Sequence, residues 1–144
     1  MRKILLLIVT ANFAAAPICA ADNPAATLES RGLVGTWASY CTAGADRKAA
    51  PLRIVVAAPP GGAASFTTVN AEDGVATTVN SEVLEAAPAG PGQLKLRLRI
   101  VGGDRAGGPL PSPTTNTYEQ VIEKTDQGIR LAGAESRFIQ KCPD

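Results

Sequence analysis

The sequence predicts an all-β fold, an antiparallel eight- to nine-stranded meander barrel with a short N-terminal helix. Three observations carry that expectation. Between Gln93 and Val101, Leu94, Leu96, Leu98 and Ile100 alternate with Lys95, Arg97 and Arg99, a period of two that dries one face of a strand and wets the other. Turn signals recur about every ten residues, with no crossover helices of the kind a parallel sheet needs. Cys41 and Cys142 lie in the first and last strand segments, where a bond between them would close a sheet on itself.

The chain starts with a segment that reads as an export signal. Arg2 and Lys3 precede the apolar run Ile4 to Val9, and small residues lead to Ile18-Cys19-Ala20-Ala21. The apolar core is too short for a membrane span, which needs about 20 residues. Residues 1–21 are therefore expected to be a cleaved secretory signal peptide, with cleavage after Ala20 or Ala21 and residues 22–144 as one domain. Pro17 and Ile18 ahead of Cys19 argue against lipidation, so Cys19 leaves with the signal and no stable membrane anchor remains. The expected location is periplasmic or secreted.

Without Arg2 and Lys3, 12 basic residues face 13 acidic ones, a net charge of −1. That balance makes no electrostatic case for nucleic acid as a partner. The remaining residues suit one core and a monomer. In an oxidising compartment the two mature cysteines have one possible intramolecular pairing, Cys41 with Cys142. Closing a loop of about 100 residues is worth about 4–5 kcal/mol in the chain-entropy model. A redox role for the pair is disfavoured, since no CxxC or histidine is present to lower a thiol pKa.

Taken in order, Asn23, Pro24 and Gly32 mark the cap, first turn and stop of a helix of about two turns. Strands are expected at Val34–Cys41 and Leu52–Ala57, the latter stopped by Pro59-Pro60-Gly61-Gly62. Ala64–Asn70 and Val75–Val79 flank the hairpin turn Ala71-Glu72-Asp73-Gly74. Glu82–Ala86 follows, then a loop at Pro88–Gly92, then Gln93–Val101. A long loop, Gly102–Pro113, precedes Thr115–Lys124, a turn at Thr125–Gly128, Ile129–Ala132 and Ser136–Cys142.

With its short helix, Gly35-Thr36-Trp37 opening the first strand, a meander of strands and Arg137 in the last one, the chain resembles the lipocalin-like, or broader calycin, barrels. It is also similar to small exported bacterial proteins of unknown role, which implies a fold and no activity. The lipocalin resemblance implies that Trp37 plugs the closed end of the barrel and that Arg137 packs over its indole, a cation–π contact worth about 0.5–2 kcal/mol. Trp37 and Cys41 share a strand face whereas Arg137 and Cys142 do not, so either a bulge separates the latter or Cys142 lies beyond the strand. Trp37, Tyr40, Phe66, Tyr118 and Phe138 are the mature aromatics, a sparser lining than large-ligand lipocalins have.

Catalytic readings fare poorly. Histidine is absent, which removes the commonest general base and metal ligand near neutral pH. Glu119 and Glu123 on one strand face would lie about 13 Å apart, outside the roughly 5–9.5 Å that glycosidic carboxylate pairs use. Asn70–Gly74 offers oxygen ligands beside a glycine but lacks the alternating acidic spacing of a calcium loop, and a hairpin turn explains it. Lys95, Arg97 and Arg99 read as a solvated strand face in preference to a phosphate site. The 102–113 loop is open to either a contact or a passive role.

The expectation is a non-catalytic binding module without cofactor or metal. Phe66, Leu94, Leu96, Leu98, Ile100 and Tyr118 would line a lumen for a small apolar or amphipathic ligand, although an eight-stranded barrel can equally be filled by its own side chains. The alternative is a periplasmic protein–protein module acting through its loops. Small lysozyme- and protease-inhibitor-like barrels resemble it in architecture.

Overall fold

A computed structural model describes residues 23–41, 52–72, 74–105, 108–109, 116–133 and 137–143. The expected leader with Cys19, the 44–48 loop and parts of the 102–113 segment lie outside them.

Helix α1 (Pro24–Ser30) has the predicted ends. The Asn23 side chain accepts from the Ala25 amide at 3.0 Å, Pro24 sits in the first turn, and Gly32 at φ 62° lets the amides of Gly32 and Leu33 return to the Glu29 and Leu28 carbonyls. Seven residues are too few for a stable isolated helix. Burial holds it: Leu28 is fully buried and Leu33 nearly so, each worth about 1.5–3 kcal/mol.

The strands are β1 (Gly35–Ala38), β2 (Leu52–Ala57), β3 (Ser65–Glu72), β4 (Val75–Gly90), β5 (Gln93–Arg105), β6 (Gly108–Pro109), β7 (Thr117–Thr125), β8 (Gly128–Leu131) and β9 (Gln140–Lys141). They form one antiparallel sheet in the order β8-β7-β5-β4-β3-β2-β1-β9, with β6 folded back on the end of β5. Ile129 and Ile139 exchange backbone hydrogen bonds of 3.0 and 2.8 Å between β8 and the approach to β9, and this bridge nearly closes the barrel. The all-β meander barrel is thus present, eight strands around and one extra.

Several boundaries differ from the sequence expectation. The two strands expected either side of Ser81 are one 16-residue strand, β4, which carries register shifts at Asn80/Ser81, Val83/Glu85 and Pro88/Gly90. It continues through Pro88, where a loop was expected. β3 begins opposite Glu82, so most of β4 beyond that point has a strand neighbour only in β5. A proline is tolerated on such a half-paired stretch because one edge asks for no amide donor. β5 likewise runs on to Arg105, and the expected long loop opens as a β5–β6 hairpin, with Asp104 opposite Pro109 and Arg105 opposite Gly108.

At the chain's end, the expected strand Ser136–Cys142 reduces to β9 and the Ile139 bridge. Cys142 lies just beyond β9, its amide donating to the Thr36 carbonyl at 2.8 Å, and bonds Cys41 beyond β1 at a Cα separation of 5.3 Å. That placement accounts for the mismatched face spacing of Arg137 and Cys142. No described helix is long and apolar enough to cross a membrane.

Candidate functional site

Directly opposed residues of antiparallel strands share a face, so the pairing register identifies the barrel's inner face, and position along each strand gives the height on it. At the helix end lie Leu28, Leu33, Trp37, Val56, Leu94 and Ile122, all buried. Phe66, Leu96 and Leu98 fill the middle and are 1%, 0% and 0% exposed. Four of the six expected lumen residues, Phe66, Leu94, Leu96 and Leu98, therefore belong to the apolar core.

Burial falls away toward the other end. Continuing the inner face past Phe66 along β3 and β4 gives Thr68 opposite Val79, then Asn70 opposite Leu52 and Thr77. On β5 and β7 the same face continues from Leu98 to Ile100, and Tyr118 opposes Leu98. Leu52, Thr68, Val79, Ile100 and Tyr118 are all half-buried. Beneath them the buried Ser81 hydroxyl and the Tyr118 phenol share a hydrogen bond of 3.1 Å. This end of the barrel, its mouth, thus carries half-buried Leu52, Thr68, Val79, Ile100 and Tyr118 beside the Ser81–Tyr118 hydroxyl pair. The remaining expected lumen residues, Ile100 and Tyr118, lie in this mouth.

The helix end is built differently. Trp37 is 3% exposed and its indole nitrogen donates to the Leu33 carbonyl at 2.8 Å, tying the ring to the turn after α1. The cation above its ring is Lys141, whose ammonium lies 5.9 Å from the ring centroid. The register makes this so, since Lys141 directly opposes Trp37 across β1 and β9. Arg137, the arginine expected there, is exposed and precedes β9. A second lysine, Lys124, donates to the Arg31 carbonyl at 2.6 Å and caps the end of the helical turn. Sequence reasoning passed over Lys124, although a cation that continues the inward series Tyr118, Gln120, Ile122 is an anomaly an alternation reading can flag.

The outer face of β4, β5 and β7 is a ladder of ion pairs. Lys95 meets Glu119 at 3.2 Å, Arg97 meets Glu85 at 2.7 Å, and Arg99 binds Glu82. Arg130 chelates Glu123 at 2.6 Å and also lies over the Phe138 ring at 4.9 Å. The cationic row read from the sequence is thus neutralised by cross-strand glutamates, which leaves it little pull on a phosphate. At the β3–β4 turn, Glu72 pairs with Val75 and Gly74 has φ 77°, the geometry of a hairpin. Among the described residues no group of three or more histidine, cysteine, aspartate or glutamate side chains is placed to hold a metal.

Comparison of the chain with protein-family models, curated proteins and solved structures finds no match.

Proposed function

We propose that this chain is a non-catalytic, exported, lipocalin-like binding module that takes a small apolar or amphipathic molecule at the barrel mouth. The observation that carries the reading is the change along the inner face, from buried Phe66 and Leu98 to half-buried Val79, Ile100 and Tyr118 over the Ser81–Tyr118 hydroxyl pair. Apolar walls with a few convergent polar groups are the usual make-up of small-molecule sites. Export is supported by the leader-like start and by a disulfide of the kind that persists in oxidising compartments. The test is titration of the folded protein with a panel of environment-sensitive lipophilic dyes. Saturable binding that Val79→Glu or Ile100→Glu abolishes supports the site, and no saturable binding to the wild type overturns it.

A second reading, an inhibitor-like module that binds a periplasmic protein, is favoured by the β5–β6 hairpin. It presents exposed Asp104 and Arg105 on paired backbone. Pull-down from a periplasmic extract with and without residues 102–113 separates the two. A partner lost with the hairpin favours this second reading, while dye binding that survives the deletion with no partner captured favours the first.

A further inference from the structure

We propose that the helix end of the barrel is a second binding site, which takes a small organic anion with a compact apolar body. This site is independent of the mouth. It follows from two hollows that share Lys124 as their common wall and from the charge around them.

The smaller hollow, of about 220 Å³, lies between the end of α1 and strands β5 and β7. Its floor is Leu33, Leu94 and Ile122, and its rim carries Ser30, Arg31, Gln93 and Lys124. Its shape is held by the β4–β5 turn. The Lys124 amide donates to the Gly92 carbonyl at 2.8 Å, and Gly92, at φ 68°, leaves only 2.9 Å between a Cβ placed there and the Lys124 carbonyl. The volume equals that of about seven waters, the size of a short aliphatic or single-ring acid. The larger hollow, about 540 Å³, continues past Lys124 along Trp37, Gly128 and Lys141.

Charge selects the ligand class. On the outer face, Lys95, Arg97, Arg99 and Arg130 are each matched by a glutamate. Arg31, Lys124 and Lys141 have no ion-pair partner among the described residues, and Asp126 is the one carboxylate in the lining of either hollow. The Lys124 ammonium meets the Arg31 and Gly32 carbonyls, which satisfy donors but leave its charge uncompensated. A positive rim above an apolar floor complements a carboxylate or phosphate monoester whose hydrocarbon part covers Leu33, Leu94 and Ile122. A neutral molecule of the same shape gains only the floor.

The single tryptophan, Trp37, lines the larger hollow and supplies the reporter. Hexanoate, phenyl phosphate, 1-hexanol and inorganic phosphate are titrated against its fluorescence, with equilibrium dialysis as an independent measure. The expected result is saturable binding of hexanoate or phenyl phosphate, with 1-hexanol and inorganic phosphate about tenfold weaker or worse. Whichever acid binds more tightly identifies the headgroup. Lys124→Gln removes the preference for acid over alcohol, and Arg97→Gln on the outer face leaves it intact. Should Lys124→Gln lose the helix cap and unfold, Arg31→Gln makes the same test at a side chain that holds no part of the fold. The proposal is overturned if hexanol binds as well as hexanoate, if neither variant narrows the preference, or if both methods find no saturable binding.

Discussion

Gly128 and Ile139 meet at the seam of the barrel so closely that a Cβ on residue 128 would stand 2.1 Å from the Ile139 carbonyl oxygen. Gly128 also has φ 128°, which side chains rarely adopt. The next residue, Ile129, makes with Ile139 the bridge that nearly completes the ring. Gly128→Ala is therefore expected to cost about 2–4 kcal/mol, from backbone strain together with forced separation of the seam. Gly74→Ala provides the contrast, since φ there is 77° but nothing lies within 4 Å of the added carbon, and about 1–2 kcal/mol of strain is expected. Urea unfolding of both variants checks this, and equal losses would count against a tight seam.

The Cys41–Cys142 bond spans 101 residues and holds the segment after β9 beside β1. Cys41→Ser/Cys142→Ser is expected to lose about 4–5 kcal/mol by the chain-entropy estimate. The measurement is the denaturant midpoint of the double variant against the unreduced wild type. A difference under about 1 kcal/mol would mean the β1–β9 pairing stands without its clasp.

Trp37→Phe removes both indole volume and the donor to the Leu33 carbonyl, leaving a buried acceptor short of its partner. A loss of about 2–4 kcal/mol is expected. Lys141→Met removes only the exposed cation above the ring and is expected to cost under about 1 kcal/mol. Calorimetric or urea unfolding ranks the two, and the reverse ranking would show that the cation holds the indole more firmly than the hydrogen bond does.

Ser81 and Tyr118 exchange their hydroxyl bond at the mouth. Tyr118→Phe leaves the buried Ser81 hydroxyl without that partner, at an expected cost of about 1–2 kcal/mol. Ser81→Ala together with Tyr118→Phe is expected to cost less than the sum of the singles, because both act on one bond. A double-mutant cycle on stability measures it, and strict additivity would mean the two hydroxyls do not interact in solution.

The residues that read truly from the sequence are those whose signal is local. Asn23, Pro24 and Gly32 mark a helix by their own conformational limits, and Leu94 to Leu98 mark a strand by alternation alone. The mouth was half legible, with Ile100 and Tyr118 on the right face but with Leu52, Thr68, Val79 and Ser81 unmarked. Thr68 and Ser81 are polar, and only the register, which sets them beside Val79 and Phe66, places them on the inner wall. Pro88 misled because a proline argues against a strand until one knows that most of that edge of β4 has no strand neighbour.

Composition and periodicity thus sufficed for the all-β class, the helix ends, the wet and dry faces of β5 and the pairing of Cys41 with Cys142, since each depends on residues near in sequence or on a choice with a single answer. Which cation meets Trp37, where β4 and β5 stop, how Gly128 admits Ile139 and which unpaired cations come to lie beside Lys124 depended on the folded arrangement. Those features are contacts between strands far apart along the chain, and a side chain's type says which face it prefers without naming the neighbour it will find there.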